Sequence, residues 1–153
     1  MRLTSILALT TLFSAAVVDS VAIACSCMEP SVEDSFETST DVMVVRIRGR
    51  RVVEEELIYS AQVGRTLKGC TERGDDILLA TASSSATCGA TNLRPGQTYL
   101  IFGDDSGTLR DRAVFDINLC DDNQLVRELT RAEIRFLKRN AEECDIGEPI
   151  CEA

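Results

Sequence analysis

All seven cysteines of this 153-residue chain, Cys25, Cys27, Cys70, Cys88, Cys120, Cys144 and Cys151, fall after residue 24. The segment before them reads as a secretory signal. Arg2 supplies the positive start, and Ile6 to Val18 is apolar apart from Thr10, Thr11 and Ser14. Ala22-Ile23-Ala24 then gives a small-x-small cleavage pattern. That apolar run is too short and too broken for a spanning helix, and Asp19 sits near its end. Cleavage after Ala24 takes 24 residues from 153 and leaves 129, enough for one domain with a modest core. A secreted domain of this size and cysteine content folds around its disulfides, each contributing about 2–4 kcal/mol. Seven is odd, so one sulfur is free, pairs between chains, or is not a thiol.

Charge and missing residue types narrow the function. The net charge is -9, which argues against nucleic acid, heparin and anionic membranes as partners unless basic residues cluster in the fold. Arg46, Arg48, Arg50 and Arg51 form one local basic stretch, read here as a solvated strand end. The chain has no histidine, so the common hydrolase triads and His-ligated metal sites are ruled out, and an enzyme is not expected. The pairs Asp75-Asp76, Asp104-Asp105, Asp121-Asp122 and Glu142-Glu143 read as turns and solvated faces, because none sits in a calcium-loop spacing.

Patterning along the chain indicates a β protein with two helices. Ser31-Val32-Glu33-Asp34 reads as a capped helix start running through Phe36. Met43, Val45 and Ile47 share one face of a strand within 41–53. Leu57, Tyr59, Ala61, Val63 and Leu67 alternate in the next strand, with Glu54-Glu55-Glu56 as the turn between them. Residues 77–82 form a third strand. Arg94-Pro95-Gly96-Gln97 carries Pro and Gly at the centre of a type II turn, and 99–102 follows as a buried strand. Asp104-Asp105-Ser106-Gly107 reads as a hairpin turn, with Ala113, Phe115, Ile117 and Leu119 alternating in a fifth strand. Thr130-Arg131-Ala132-Glu133 is a capping box, Leu129 and Ile134 its hydrophobic staple, and Ile134, Leu137 and Ala141 the apolar stripe of a last helix. Five short strands with turn signals between them predict a small barrel or sandwich.

The chemistry lies at the mature end. A chain beginning Cys25-Ser26-Cys27 carries an α-amine and a carbonyl oxygen on one residue, able to close a five-membered chelate on a metal with an open position. A protease zinc keeps such a position for its water. An unperturbed α-amine has a pKa of about 7.7–8.0, so little deprotonation cost opposes coordination near neutral pH. Disulfides through Cys25 and Cys27 would hold the end rigid and reduce the entropy lost on binding.

These residues carry a resemblance. Cys25-Ser26-Cys27 after a signal, then Phe36 and Asp41-Val42-Met43-Val44-Val45-Arg46, resembles the start of the tissue inhibitors of metalloproteinases. Leu67-Lys68-Gly69, Thr87-Cys88-Gly89, Leu93 and Gly96, Tyr99-Leu100-Ile101-Phe102-Gly103 and Cys120 follow the wider netrin-type pattern. The resemblance spans Cys25 to Cys144 and implies a mainly β fold: an OB-fold-like, five-stranded Greek-key barrel with two flanking helices, disulfide-stapled, occupying 25–153. It implies the pairs Cys25–Cys88 and Cys27–Cys120. It further implies that Cys25 chelates the zinc of a target metalloendopeptidase in trans. Ser26 would enter the S1′ specificity pocket, and Cys27, Met28, Ser85, Ala86 and Thr87 would make flanking contacts. The protein would be a secreted, extracellular, monomeric inhibitor with no cofactor of its own.

The sequence departs from the family in three places. Glu37 stands where the third cysteine would fall, so Cys144 needs Cys70 or Cys151 as its mate. The family's separate C-terminal subdomain is not expected, and Glu29 replaces a common proline. Two other readings stay open. One is a secreted netrin-type binding module without inhibitory action. The other is a bacterial-type lipoprotein, because Ala22-Ile23-Ala24-Cys25 loosely resembles a lipobox; lipidation at Cys25 would place the chain on a membrane and remove both the disulfide and the chelating amine.

Overall fold

A computed structural model describes residues 25–28 and 30–141. The signal reading, Glu29 and the pairing of Cys144 and Cys151 lie outside the described residues. The element order is α1 (Val32–Thr38), β1 (Asp41–Val53), β2 (Glu56–Lys68), β3 (Asp76–Ala82), β4 (Thr98–Leu109), β5 (Arg112–Asp116), β6 (Gln124–Leu125) and α2 (Arg131–Asn140), with single 3-10 turns at Ser85–Thr87 and Val126–Glu128.

The sheet runs β1-β2-β3-β5-β4-β6, and a further β1–β4 ladder closes the first five strands into a ring. The β3–β5 contact is parallel, and every other ladder is antiparallel. This is the five-stranded, OB-fold-like barrel with two flanking helices, plus one short extra strand on β4. Closure requires strands that bend. β4 does so by changing partner, pairing β1 through residues 98–103 and β5 through 104–109. Gly103 sits at the change-over, where a Cβ would lie 3.2 Å from the Asp116 carbonyl oxygen and 3.3 Å from Ile117. Strands approach so closely there that a side chain would require its neighbours to give by a few tenths of an ångström.

The period-two pattern fills the barrel. Met43, Val45 and Ile47 are fully buried, and Leu57, Tyr59, Ala61 and Val63 meet them across the ladder together with Leu79, Ile101 and Phe115. Two buried tyrosines find partners: the Tyr59 hydroxyl donates to the Ala90 carbonyl at 2.9 Å, and the Tyr99 hydroxyl accepts from the Arg94 amide at 3.0 Å. Arg94-Pro95-Gly96-Gln97 turns as expected, with Gly96 at φ 86° and the Gln97 amide donating to the Arg94 carbonyl at 3.3 Å.

Both helices cover the outside of the β1–β4 ladder. Ser31 caps α1 through a complete capping box, as Thr130 does for α2. Val32 and Phe36 of α1 pack with Val42, Leu67, Leu100, Phe102 and Leu137, and Phe136 meets Phe36 edge-on at 5.7 Å. Lys68 fixes α1 in place. Its ammonium donates to the carbonyls of Phe36 at 3.0 Å and Ser39 at 2.6 Å, satisfying groups the helix end leaves open.

Four local expectations are corrected. Asp104-Asp105-Ser106-Gly107 is a β-bulge inside β4, not a turn; Gly107 takes φ 106° and its amide donates to Asp105 Oδ1 at 2.8 Å. The actual reversal is Arg110-Asp111, both at positive φ. Leu67 leaves the barrel interior for the helical layer because one β1–β2 register shift, between Val44 and Val45, precedes it and reverses the parity, and the next, between Val42 and Met43, falls at Leu67 itself. Ile134 is 36% exposed; Phe136 takes the packing role assigned to it. Leu119 falls beyond β5 and is 40% exposed.

Candidate functional site

Three segments converge on the residues that follow position 24. Cys25 is bonded to Cys88 and Cys27 to Cys120, each pair with Cα atoms 5.2 Å apart. The sequence separations are 63 and 93, so the start of the described chain is fastened to two loops at one end of the barrel. The two bridges touch: Cys25 Sγ lies 3.9 Å from both Cys27 Sγ and Cys120 Sγ. Sulfurs that are bridged carry no proton, so this is packing contact and not hydrogen bonding.

The loop holding Cys88 is built by a serine cap. The Ser84 hydroxyl accepts from the Ala86 amide at 3.2 Å and opens the turn Ser85–Thr87; the Ser84 carbonyl then accepts from the Gly89 amide at 2.9 Å. Cys88 itself is left-handed, at φ 63°. Gly89 has no room for a side chain, since a Cβ would lie 2.7 Å from the Ala82 carbonyl carbon and 2.8 Å from the Ser84 carbonyl oxygen. This backbone approach puts Ser85, Ala86 and Thr87 on the surface beside the bridge, where all three are exposed.

The loop holding Cys120 is a polar turn. The Asn118 side-chain oxygen accepts from the Cys120 amide at 2.7 Å, and Asp121 accepts from the Asn118 amide at 2.8 Å and from its side-chain amide at 3.0 Å. Burial pushes the Asp121 carboxyl above its ordinary value, and the bonds from Asn118 oppose the rise. The Leu119 amide donates to the Cys88 carbonyl at 2.7 Å, joining the two loops. The tip of the β1–β2 hairpin joins them as well, because the Ser83 amide donates to the Glu55 carbonyl at 2.9 Å.

What this arrangement offers to a partner is a short ridge. Cys25 and Cys27 are half-buried by their bridges, while Ser26 is exposed between them and Met28 is 93% exposed. Met28 and the exposed Leu119 directly follow and precede the bridged Cys27 and Cys120, and both side chains are apolar surface without a covering among the described residues. The structure therefore brings Cys25, Ser26, Cys27, Met28, Ser85, Ala86 and Thr87 to one place. Sequence reasoning missed Leu119 because alternation alone assigned it to a strand; its position directly before Cys120 was the available signal.

Cys25, Cys27 and Cys120 form the one group of potential metal ligands found among the described residues, but each sulfur is spent on a disulfide. A thiolate site would exist only after reduction. The Cys25–Cys88 bridge and a lipid thioether at Cys25 exclude one another, since both need the same sulfur. Cys70 is also half of a disulfide; its partner lies outside the described residues. No described helix is long and apolar enough to cross a membrane.

A family model described as the UNC-6/NTR/C345C module matches residues 37–142. No curated protein matches the chain. The match begins after the stapled terminus and within the last turn of α1, so it bears on the barrel and α2 and leaves the ridge to be argued from its own residues.

Proposed function

From the premise that the chain belongs to the UNC-6/NTR/C345C module family, we propose that it is a secreted inhibitor of zinc metalloendopeptidases acting through a mature terminus at Cys25. The observation that carries this reading is the double fastening of Cys25-Ser26-Cys27 to the loops at Cys88 and Cys120, with Ser26 and Met28 left exposed. A flexible end would lose several rotatable bonds on docking; an end held by two bridges has already lost them.

In this reading signal cleavage after Ala24 frees the Cys25 α-amine. Amine and carbonyl oxygen together replace the zinc-bound water of the protease. Ser26, short and polar, enters the pocket beside the metal, and Met28, Ser85, Ala86 and Thr87 press on the rims. The protein itself supplies no reacting group: it blocks by occupying the metal's open position.

The test uses oxidised protein beginning at Cys25 against a panel of zinc endopeptidases. Inhibition is expected for at least one, and it should be lost when a single alanine precedes Cys25, since the amine then moves off the metal. Full inhibition by the extended protein would refute the chelation mechanism. The competing reading, a netrin-type module that binds another partner, draws on the family match starting only at residue 37. It is favoured if the whole panel stays active in the presence of correctly cleaved, oxidised protein.

A further inference from the structure

The arginine stretch read from the sequence as a solvated strand end is exposed on β1, and a bulge decides which face its members take. The β1–β2 register shifts between Ile47 and Gly49, so one extra residue, Arg48, is inserted on β1. Before the shift, odd-numbered residues face the barrel interior; after it, Arg50 stands opposite buried Tyr59 and Arg51 opposite Ile58 on the outer face. The bulge therefore places Arg48 and Arg51 on the same outer surface. Arg112, at the start of β5, reaches that surface from the other side.

Two adjoining depressions lie there and share Ser60 and Arg112. One, of about 300 Å³, is lined by Arg51, Arg112 and Ser60 over Ile58 and Leu78; the other, of about 450 Å³, is lined by Arg48, Gln62, Asp76 and Arg112. The floor belongs to a small outer apolar cluster of Ile58, Leu78 and Ala80, with Val114 packed against it.

One carboxylate, Asp76, lines the second depression, but it makes no ion pair within 4.0 Å with an arginine of this rim, and the first depression is lined by no acidic residue. The chain has 25 Asp and Glu residues, yet the one ion pair within 4.0 Å among the described residues is Arg127–Glu128, elsewhere in the fold. Arg48 is held by a neutral partner: its guanidinium donates to the Gln62 side-chain oxygen, and the Gln62 amide donates in turn to the Gly74 carbonyl at 3.3 Å. An amide orients a guanidinium without cancelling its charge. In a protein of net charge -9, uncompensated arginines around one depression leave a local positive site in a negative field.

We propose that this outer face of β1, β2, β3 and β5 is a binding site for a small phosphate or sulfate ester. The oxyanion would be held between Arg51 and Arg112, whose planar donors suit bidentate contact, and its organic body would lie on Ile58 and Leu78. A depression of this volume with an apolar floor and a few polar groups on its rim has the form of small-ligand sites in general. The site shares no residue with the ridge at Cys25, so the proposal stands or falls independently of protease inhibition.

The experiment titrates the oxidised protein with phenyl phosphate, inorganic phosphate and phenol, following backbone amide shifts by NMR at fixed ionic strength. Phenyl phosphate should bind at least several-fold more tightly than either fragment, with shifts centred on 48–51, 58–60, 78 and 112. Arg51→Gln with Arg112→Gln should weaken it by tenfold or more, whereas Arg131→Gln with Arg135→Gln on α2 should leave it unchanged. Three results would overturn the proposal: no saturable binding of phenyl phosphate, shifts centred elsewhere, or equal losses from the two double variants. Binding to phosphatidylglycerol vesicles without binding to phenyl phosphate would also overturn it, in favour of a lipid-surface contact. Unchanged amide spectra of the free variants show that the fold is intact.

Discussion

Cys25 Sγ lies 3.9 Å from Cys120 Sγ, the sulfur that bridges to Cys27, so the two disulfides at the terminus form one packed unit. Groups in contact do not contribute independently. Replacing Cys27 and Cys120 by serine should cost about 2–5 kcal/mol. Removing both bridges should then differ from the sum of the two separate losses by more than about 0.5 kcal/mol. Thermal unfolding of the three variants measures this, and strict additivity would show that the contact carries no coupling.

Gly89→Ala should destabilise the protein more than Gly74→Ala. The added Cβ at position 89 meets backbone of Ala82 and Ser84, which cannot rotate aside, while at position 74 nothing lies within 4 Å and only the positive φ of 101° opposes the change. Strain of the latter kind is about 1 kcal/mol. Gly89→Ala should exceed it and expose Cys88 to faster reduction. Denaturant unfolding together with thiol-labelling rates distinguishes the two variants.

Asp41 predicts the sign of one pH dependence. The residue is 7% exposed, and burial raises its carboxyl pKa above 3.8; the bond from the Thr40 hydroxyl opposes the rise, Asp105 and Asp104 add to it, and Lys68 lowers it. A carboxyl with a raised folded-state pKa holds its proton more tightly in the folded chain than in the unfolded one. Its contribution is therefore most favourable at low pH and declines as pH rises from about 3.8 through the folded value. Asp41→Asn should flatten this decline, so the melting temperature of the variant gains on the wild type between pH 4 and pH 7, on a scale of about 1.4 kcal/mol per pKa unit. A constant difference across that range would refute the assignment to Asp41.

Tyr59→Phe removes the hydroxyl that donates to the Ala90 carbonyl inside the barrel. A buried carbonyl left without a donor costs about 1–3 kcal/mol. Tyr99→Phe removes an acceptor from the Arg94 amide, which is only part-buried, and water can replace the lost bond. Chemical denaturation should rank the first variant as the less stable.

Much of the barrel was legible because its interior repeats every second residue and its turns carry Pro and Gly where the backbone needs them. Met43, Val45 and Ile47 illustrate the first, Pro95 and Gly96 the second. Capping boxes at Ser31 and Thr130 marked both helix starts, since a side chain and an amide three residues on satisfy each other locally. What escaped was parity. A bulge changes the face of every later residue in its strand, and nothing in Leu67 or Arg51 states that a neighbouring strand has slipped. Asp104-Asp105-Ser106-Gly107 escaped for a related reason: a glycine at positive φ and an aspartate accepting from the amide two residues on serve a bulge as they serve a turn. At the candidate site, the ridge from Cys25 to Met28 was visible as a motif. Leu119 and the outer arginine surface were not, because each depends on strands that meet only in the folded chain.

The fastening of Cys25 and Cys27 also sets an order of events. Both partners lie downstream, 63 and 93 residues later, and chains emerge from synthesis with their first residues foremost. Cys25 can therefore find its partner only once residue 88 has been made, and Cys27 only once residue 120 has been made and the loops after β3 and β5 have come together. The ridge is early as sequence and late as shape, so a chain cut short of residue 120 or left reduced presents no doubly fastened ridge to a partner.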